Sequence, residues 1–290
     1  MAVQWPLLIF SVLLGIASGS FVFLGIGELT GRFRKIRFIA AVIILACLAV
    51  GGIASTFHLG HPERVTHLLG NLGSGLSKEL FVVAAMGIVT IAYLVLARKD
   101  YPGATKALGV IGLVLGIALP LVAGASYLMA ARPAWDSFTL PLMYLGSGLG
   151  MGMLLMAGLV LLKGDAEEEG MFALKLALAG VAAMIVVSAA YVAWIAMAPH
   201  QADSRSIARL ISGDIAVAFW LGVVAVGLIA PTALAGMTWS KVQKDAAALT
   251  NAQNLAAWMF AACACSAVGA IVLRVIMYSV GTSVESLIYR

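Results

Sequence analysis

The sequence predicts an all-α integral membrane protein of eight transmembrane helices, and three observations carry that prediction. Hydrophobic residues make up 62% of the chain and charged residues only 11%, where a soluble domain carries roughly 25% charge. The apolar runs are continuous over about 20 residues, the length of a bilayer-spanning helix, and they lack the alternation of barrel strands. The polar residues gather in breaks between those runs, so no soluble domain is left over.

The spans are expected near residues 6–30, 38–57, 80–97, 107–131, 138–162, 171–197, 213–238 and 252–280, forming one membrane domain over 1–290. At the start of the first, Trp5 suits the headgroup level and Pro6 the first helical turn, where its missing N–H is harmless. MAVQWPLL carries none of the positive charge of a signal-peptide n-region, so this helix is expected to be retained. Small residues recur at GIASG (15–19) and GSGLGMG (146–152), the pattern of helices that approach closely. Pro6 with Gly15 and Pro141 with Gly150 share one spacing, which hints at helices 1–4 and 5–8 as two related four-helix bundles.

Between the second and third spans lies the longest polar break, residues 58–79, with three of the four histidines. The remaining breaks are short or moderate, so neighbouring helices should pack as antiparallel hairpins. The acidic run DAEEE (165–169) reads as a solvated loop, as charge runs usually are. PHQADSRSIARL (199–210) reads as a connection.

Lysines and arginines set the orientation. Eleven lie in or beside the breaks after odd-numbered helices and six on the other side, with Arg274 inside the last helix. Positive charge favours the cytoplasmic side, so both termini and the 58–79 break are expected on the outer, periplasmic face of a multi-pass protein of the inner membrane.

The net charge of +5 belongs to these helix ends and forms no patch for nucleic acid. Cys47, Cys263 and Cys265 all sit in apolar runs and read as small packing residues rather than a disulfide or cluster framework. A b-type haem needs axial ligands projecting from spanning helices, and only His58 approaches that position, so no haem is expected. His61 and His67 lack the ordered spacing of a metal site and read as loop residues; no metal is expected.

His58 and Glu79 stand out. His58 closes the second helix at the border of the hydrocarbon, where an ionisable group is a functional candidate, although a polar interhelical link is the plainer alternative. Glu79 opens the third helix, either as a first-turn acid complementing the helix dipole, with Ser77 as its cap, or as a second proton acceptor at the same depth. Arg64 could hold a ring carbonyl or pair with Glu63 or Glu79. In RPAWD (132–136), Arg132, Trp135 and Asp136 form either an interfacial anchor or a docking point. Arg274 and Tyr278 are an i, i+4 pair deep in the last helix; a buried arginine wants a partner, and Glu28 is the one carboxylate within an apolar run that could answer it.

FHLGHPER (57–64) followed by NLGSGLSKE (71–79) resembles the corresponding stretch of the membrane anchor subunits of dimethyl sulfoxide reductases. WPLLIF (5–10), Tyr127 with RPAW (132–135), and Arg274 with Tyr278 extend the likeness along the whole chain. The resemblance implies eight helices with outward termini, and a subunit free of haem and iron–sulfur clusters. It implies that menaquinol is bound and oxidised at His58 and Glu79, within a quinol site of His58, Arg64, Ser77, Glu79 and Tyr127. It implies two partners, a ferredoxin-like iron–sulfur subunit and a molybdopterin catalytic subunit. The chain departs from the family pattern at Ala125, where an arginine often precedes the tyrosine, and at Ala270, where a glutamate often lies one turn before Arg274.

The expected function is therefore a membrane anchor that oxidises menaquinol and passes electrons outward. Three alternatives stand beside it: the same fold reducing quinone with electrons from an outer donor enzyme, a secondary transporter, and a purely structural anchor.

Overall fold

A computed structural model describes residues 3–57, 73–99, 101–198, 201–250 and 252–280. Among these, eight helices are long and apolar enough to cross a bilayer. In chain order the helices are α1 (Trp5–Thr30), α2 (Arg37–Thr56), α3 (Gly75–Arg98), α4 (Pro102–Ala125), α5 (Thr139–Lys163), α6 (Ala166–Met197), α7 (Gln201–Ile211), α8 (Ala230–Lys244) and α9 (Gln253–Val280). All but α7 span, and α8 spans together with a π-helical segment, Ala218–Ile229, that runs into it.

The neighbour pattern is that of two four-helix rings. In the first, α1 packs on α2, α2 on α3, α3 on α4 and α4 back on α1. In the second, α5 packs on α6, α6 on the 218–244 span, that span on α9 and α9 back on α5. The rings meet where α1 lies against α5, and these two are the most buried spans. The small-residue stretches explain the closeness. A Cβ on Gly19 would stand 2.1 Å from the Gly148 carbonyl oxygen, and one on Gly152 2.3 Å from the Ser20 nitrogen. Backbone here fills space that side chains fill elsewhere.

Several boundaries differ from expectation. Helix α4 begins at Pro102 rather than 107, because a proline in the first turn needs no donor, and stops at Ala125 rather than 131. The chain then turns, with the Arg132 carbonyl accepting from the Trp135 and Asp136 N–H groups. The seventh span runs 218–244 rather than 213–238 because Gly213 and Asp214 belong to a turn in which Arg209 clamps both Asp214 carboxylate oxygens at 2.7–2.8 Å. That guanidinium holds the Asp214 carboxyl below the ordinary carboxylate range. Pro231 supplies no N–H to the turn beneath it, and the helix there is widened into π geometry. Gly227 in the widened part meets Gly269 of α9 so closely that a Cβ would lie 2.6 Å from the Gly269 Cα.

Two breaks are more structured than the sequence indicates. Residues 201–211 form α7 because Ile207, Leu210 and Ile211 recur at helical spacing and give it one apolar face. Its Arg209 and Ser206 hydrogen-bond the last carbonyls of α9, at Ser279 and Val280. The acidic run is not a free loop. It is the first turn of α6, where acids complement the helix dipole, and it grips the 31–37 turn. Glu169 Oε1 accepts from the Phe33 N–H at 2.6 Å, and Asp165 pairs with Lys35. The N-cap of α3 is Ser74, whose Oγ accepts from the Ser77 N–H at 3.1 Å; Ser77 is capped rather than capping.

Glu28 is committed far from Arg274. At the end of the bundle where α1 finishes and α4 begins, its carboxylate accepts from Arg37 Nη2 at 2.5 Å and from Tyr93 Oη at 2.6 Å. Replacing Arg37 with Met strands a buried carboxylate and should lower stability by about 3–5 kcal/mol. Tyr93→Phe removes only one charge-assisted bond and should cost about 1.5–3 kcal/mol. Thermal unfolding of the two purified variants in one detergent checks the order.

Candidate functional site

The opposite end of the bundle, where α3 and α5 begin and α4 and α9 finish, gathers most of the remaining buried polar side chains. Because Gly75 lacks a side chain, the first turn of α3 sits directly on Ser126, with 3.2 Å from a Cβ position to the Ser126 Oγ. This contact brings Glu79 of α3 to the level of Tyr127, just after α4. Glu79 is buried, and no described residue hydrogen-bonds or ion-pairs with its carboxyl group. Its carboxyl group lies within electrostatic reach of both Tyr127 and Tyr144. Most buried carboxyl groups are paired, so one with no partner among the described residues is a candidate for handling a proton or a donor.

Four aromatic rings wall the site beside it. Tyr127 lies 5.8 Å from Tyr144, 6.1 Å from Trp135 and 6.3 Å from Tyr278, ring centre to ring centre. The Tyr127 and Tyr278 hydroxyls stand 3.3 Å apart. Trp135 is buried and donates its Nε1–H to the Met277 carbonyl at 2.8 Å, so the RPAWD turn is pinned onto α9. Tyr191 of α6 fastens the same turn by donating to the Ala134 carbonyl at 3.0 Å.

Beneath the rings lies Arg274, 1% exposed. Its guanidinium stacks on the Tyr144 ring at 4.5 Å, and Nη1 and Nη2 donate to the Ala270 carbonyl at 3.2 Å and to Ser147 Oγ at 3.4 Å. Its Nε–H has no partner, and no carboxylate among the described residues faces it. The Ala270 backbone thus meets a bond that a side-chain carboxylate could have met. The site therefore pairs a buried carboxyl group with flat aromatic walls, phenolic hydroxyls and a buried cation. Such a cluster suits a planar ring with oxygen substituents: aromatic faces stack on it, the hydroxyls can bond its oxygens, and the carboxyl group can take its proton.

Of the residues singled out in the sequence, Ser77, Glu79 and Tyr127 come together here. Trp135 closes the cluster from inside, Arg132 is half-buried over its indole at 4.7 Å, and Asp136 is exposed. His58 and Arg64 lie outside the described residues. The sequence reading missed Tyr144, the only aromatic residue between Phe138 and Phe172. That isolation in a run of small residues was the available signal. Among the described residues, no three His, Cys, Asp or Glu side chains are placed to hold a metal ion.

Eight helices long and apolar enough to cross a bilayer, arranged in two rings with a buried polar cluster at one end among the described residues, define an integral membrane protein. The family model of the DMSO reductase anchor subunit (DmsC) matches residues 1–288, and the protein belongs to that family. It is 32% identical over 125 residues to the C subunit of the anaerobic dimethyl sulfoxide reductase of Escherichia coli (strain K12), covering 39% of this protein and 42% of that one. It is 34% identical over 128 residues to the YnfH subunit of an anaerobic dimethyl sulfoxide reductase of the same organism, covering 41% and 43%. The matched part is thus about two fifths of each curated relative.

Proposed function

We propose that this subunit binds menaquinol at the Glu79–Tyr127 end of the bundle, oxidises it, and passes the electrons to an iron–sulfur subunit docked over that end. The observation that carries the reading is Glu79, a buried carboxyl group without a partner among the described residues, beside a cluster of tyrosines. Quinol oxidation releases two protons and two electrons. The protons need acceptors at the depth of the ring, and Glu79 with His58 supplies two. The electrons need a centre elsewhere, since this chain is read as carrying neither haem nor cluster. A ferredoxin-like subunit receives them and a molybdopterin subunit consumes them at the terminal acceptor. Membership of the anchor family supports that assembly.

The excess of lysine and arginine on the other side of the bundle supports a periplasmic position for this end, in the inner membrane. Family membership and a buried carboxyl group with no partner among the described residues favour quinol oxidation over a transporter or an inert anchor, because a transporter needs its polar site between paired helices near the midplane.

Substitution of His58 by Leu in the assembled complex tests the reading. Menaquinol-dependent reduction of the partner's clusters should fall at least about a hundredfold, the range of a lost acid–base group, with assembly intact. Unchanged cluster reduction would overturn it.

A further inference from the structure

The axis of the second four-helix ring holds polar groups beyond the tyrosine cluster, among them Ser147, which also accepts from Arg274. Ser147 of α5, Ser188 of α6 and Ser266 of α9 line one narrow crevice together with Gly227 and Gly269. Most helical serines and threonines of this chain return their hydroxyl to the carbonyl one turn back, as Thr90, Ser126, Thr238 and Ser279 do. Ser266 does not: it is 1% exposed and its hydroxyl has no partner among the described residues. The Ser188 hydroxyl likewise makes no hydrogen bond within the described residues. The unpartnered Nε of Arg274 lies on the same helix as Ser266, two turns further on.

The crevice continues outward. Ser188, Val223, Leu228 and Leu273 also line a larger apolar groove of about 360 Å³ between α6, α7, the π-helical segment and α9. That volume lies within the range of small-molecule sites, roughly 300–1,000 Å³. Ser188 is nine residues before the end of α6, roughly 13 Å along the axis, within the apolar part of the span. A neutral ring bearing oxygen on a long hydrocarbon tail offers acceptors to the serines and apolar surface to the groove.

We infer that this groove between α6, α7, the π-helical segment and α9 is a second lipid-accessible binding site, and that its ligand is an isoprenoid quinone. The ring lies in the groove with an oxygen toward Ser188 and the crevice, and the tail leaves along α6 and α7 into the bilayer. The naming of quinone as the lipophile rests on the proposed function; the groove and its unpartnered hydroxyls do not. The site exchanges quinone with the pool without oxidising it, because no carboxylate or histidine among the described residues lines it.

The full chain in phospholipid nanodiscs, irradiated with an azido-quinone carrying an isoprenoid tail, tests this. Label is expected in peptides containing Ser188 and Val223–Leu228. Unlabelled isoprenoid quinone should lower that label roughly tenfold, whereas excess phospholipid should not. Val224→Trp, which fills the groove, should lower it by a similar factor while label near Tyr127 persists. Absence of label from these peptides, equal displacement by phospholipid, or full label in Val224→Trp overturns the site. Label in the groove with none near Tyr127 upholds it and removes the proposed oxidation site instead.

Discussion

Replacing Glu79 with Gln should lower quinol-dependent electron delivery by the assembled complex about a hundredfold or more, while the subunit still inserts and binds its partners. The amide keeps the shape of the side chain and cannot accept a proton. Glu79 makes no hydrogen bond among the described residues, so its loss leaves no described donor stranded. Removal of an acid–base group commonly costs 10²–10⁴-fold. The loss should appear in kcat at saturating quinol, because the ring is still walled by Tyr127, Tyr144, Trp135 and Tyr278. Reduction of the partner's clusters by dithionite should be unaffected. If Glu79 served only as a first-turn acid complementing the helix dipole, the change would be a few tenths of a kcal/mol in stability and none in turnover.

Gly152→Ala should be among the most damaging single-methyl additions in the chain. The new Cβ would lie 2.3 Å from the Ser20 nitrogen and 2.4 Å from the Gly19 carbonyl carbon, so backbone, not a flexible side chain, must move. Helix α5 joins the two rings through α1, and separating them exposes both seams. Alanine gains up to about 1 kcal/mol of helix propensity over glycine, and overpacking of a tight contact costs about 1–3 kcal/mol, occasionally more. The net effect should be a clear fall in melting temperature. Gly236→Ala is the control, since a Cβ there meets nothing within 4 Å, and it should be neutral or stabilising. Equal melting temperatures for the two variants would contradict the close-packed α1–α5 seam.

The spans were legible because hydropathy is a local property, written residue by residue in continuous apolar runs. The α1–α5 contact was half legible: the glycine stretches announce a close approach but do not name each other as partners. Helix α7 escaped because its eleven residues carry enough charge to read as a connection, and only its apolar face against the second ring makes it a helix. The π-helical segment depends on Pro231 together with the glycines that let α9 approach, a combination of local and distant causes. At the site, Glu79 and Tyr127 were found through motif and depth. Tyr144 was not, because its place over Arg274 is fixed by packing between helices about 130 residues apart in sequence. Glu28 shows the converse: as the one carboxylate within an apolar run it was the candidate for Arg274 despite its opposite membrane depth, yet the turn after α1 returns Arg37 to it directly.

The central claim is that the Glu79–Tyr127 end of the bundle holds a quinol ring. Equilibrium binding of a fluorescent hydroxyquinoline-type quinone analogue to the purified full chain tests it most directly, with Tyr127→Trp, whose larger ring fills the aromatic cluster, as the comparison. Saturable binding to the native chain, weakened at least about tenfold by Tyr127→Trp, is the predicted result. No saturable binding to the native chain, or the same affinity in both proteins, would contradict it.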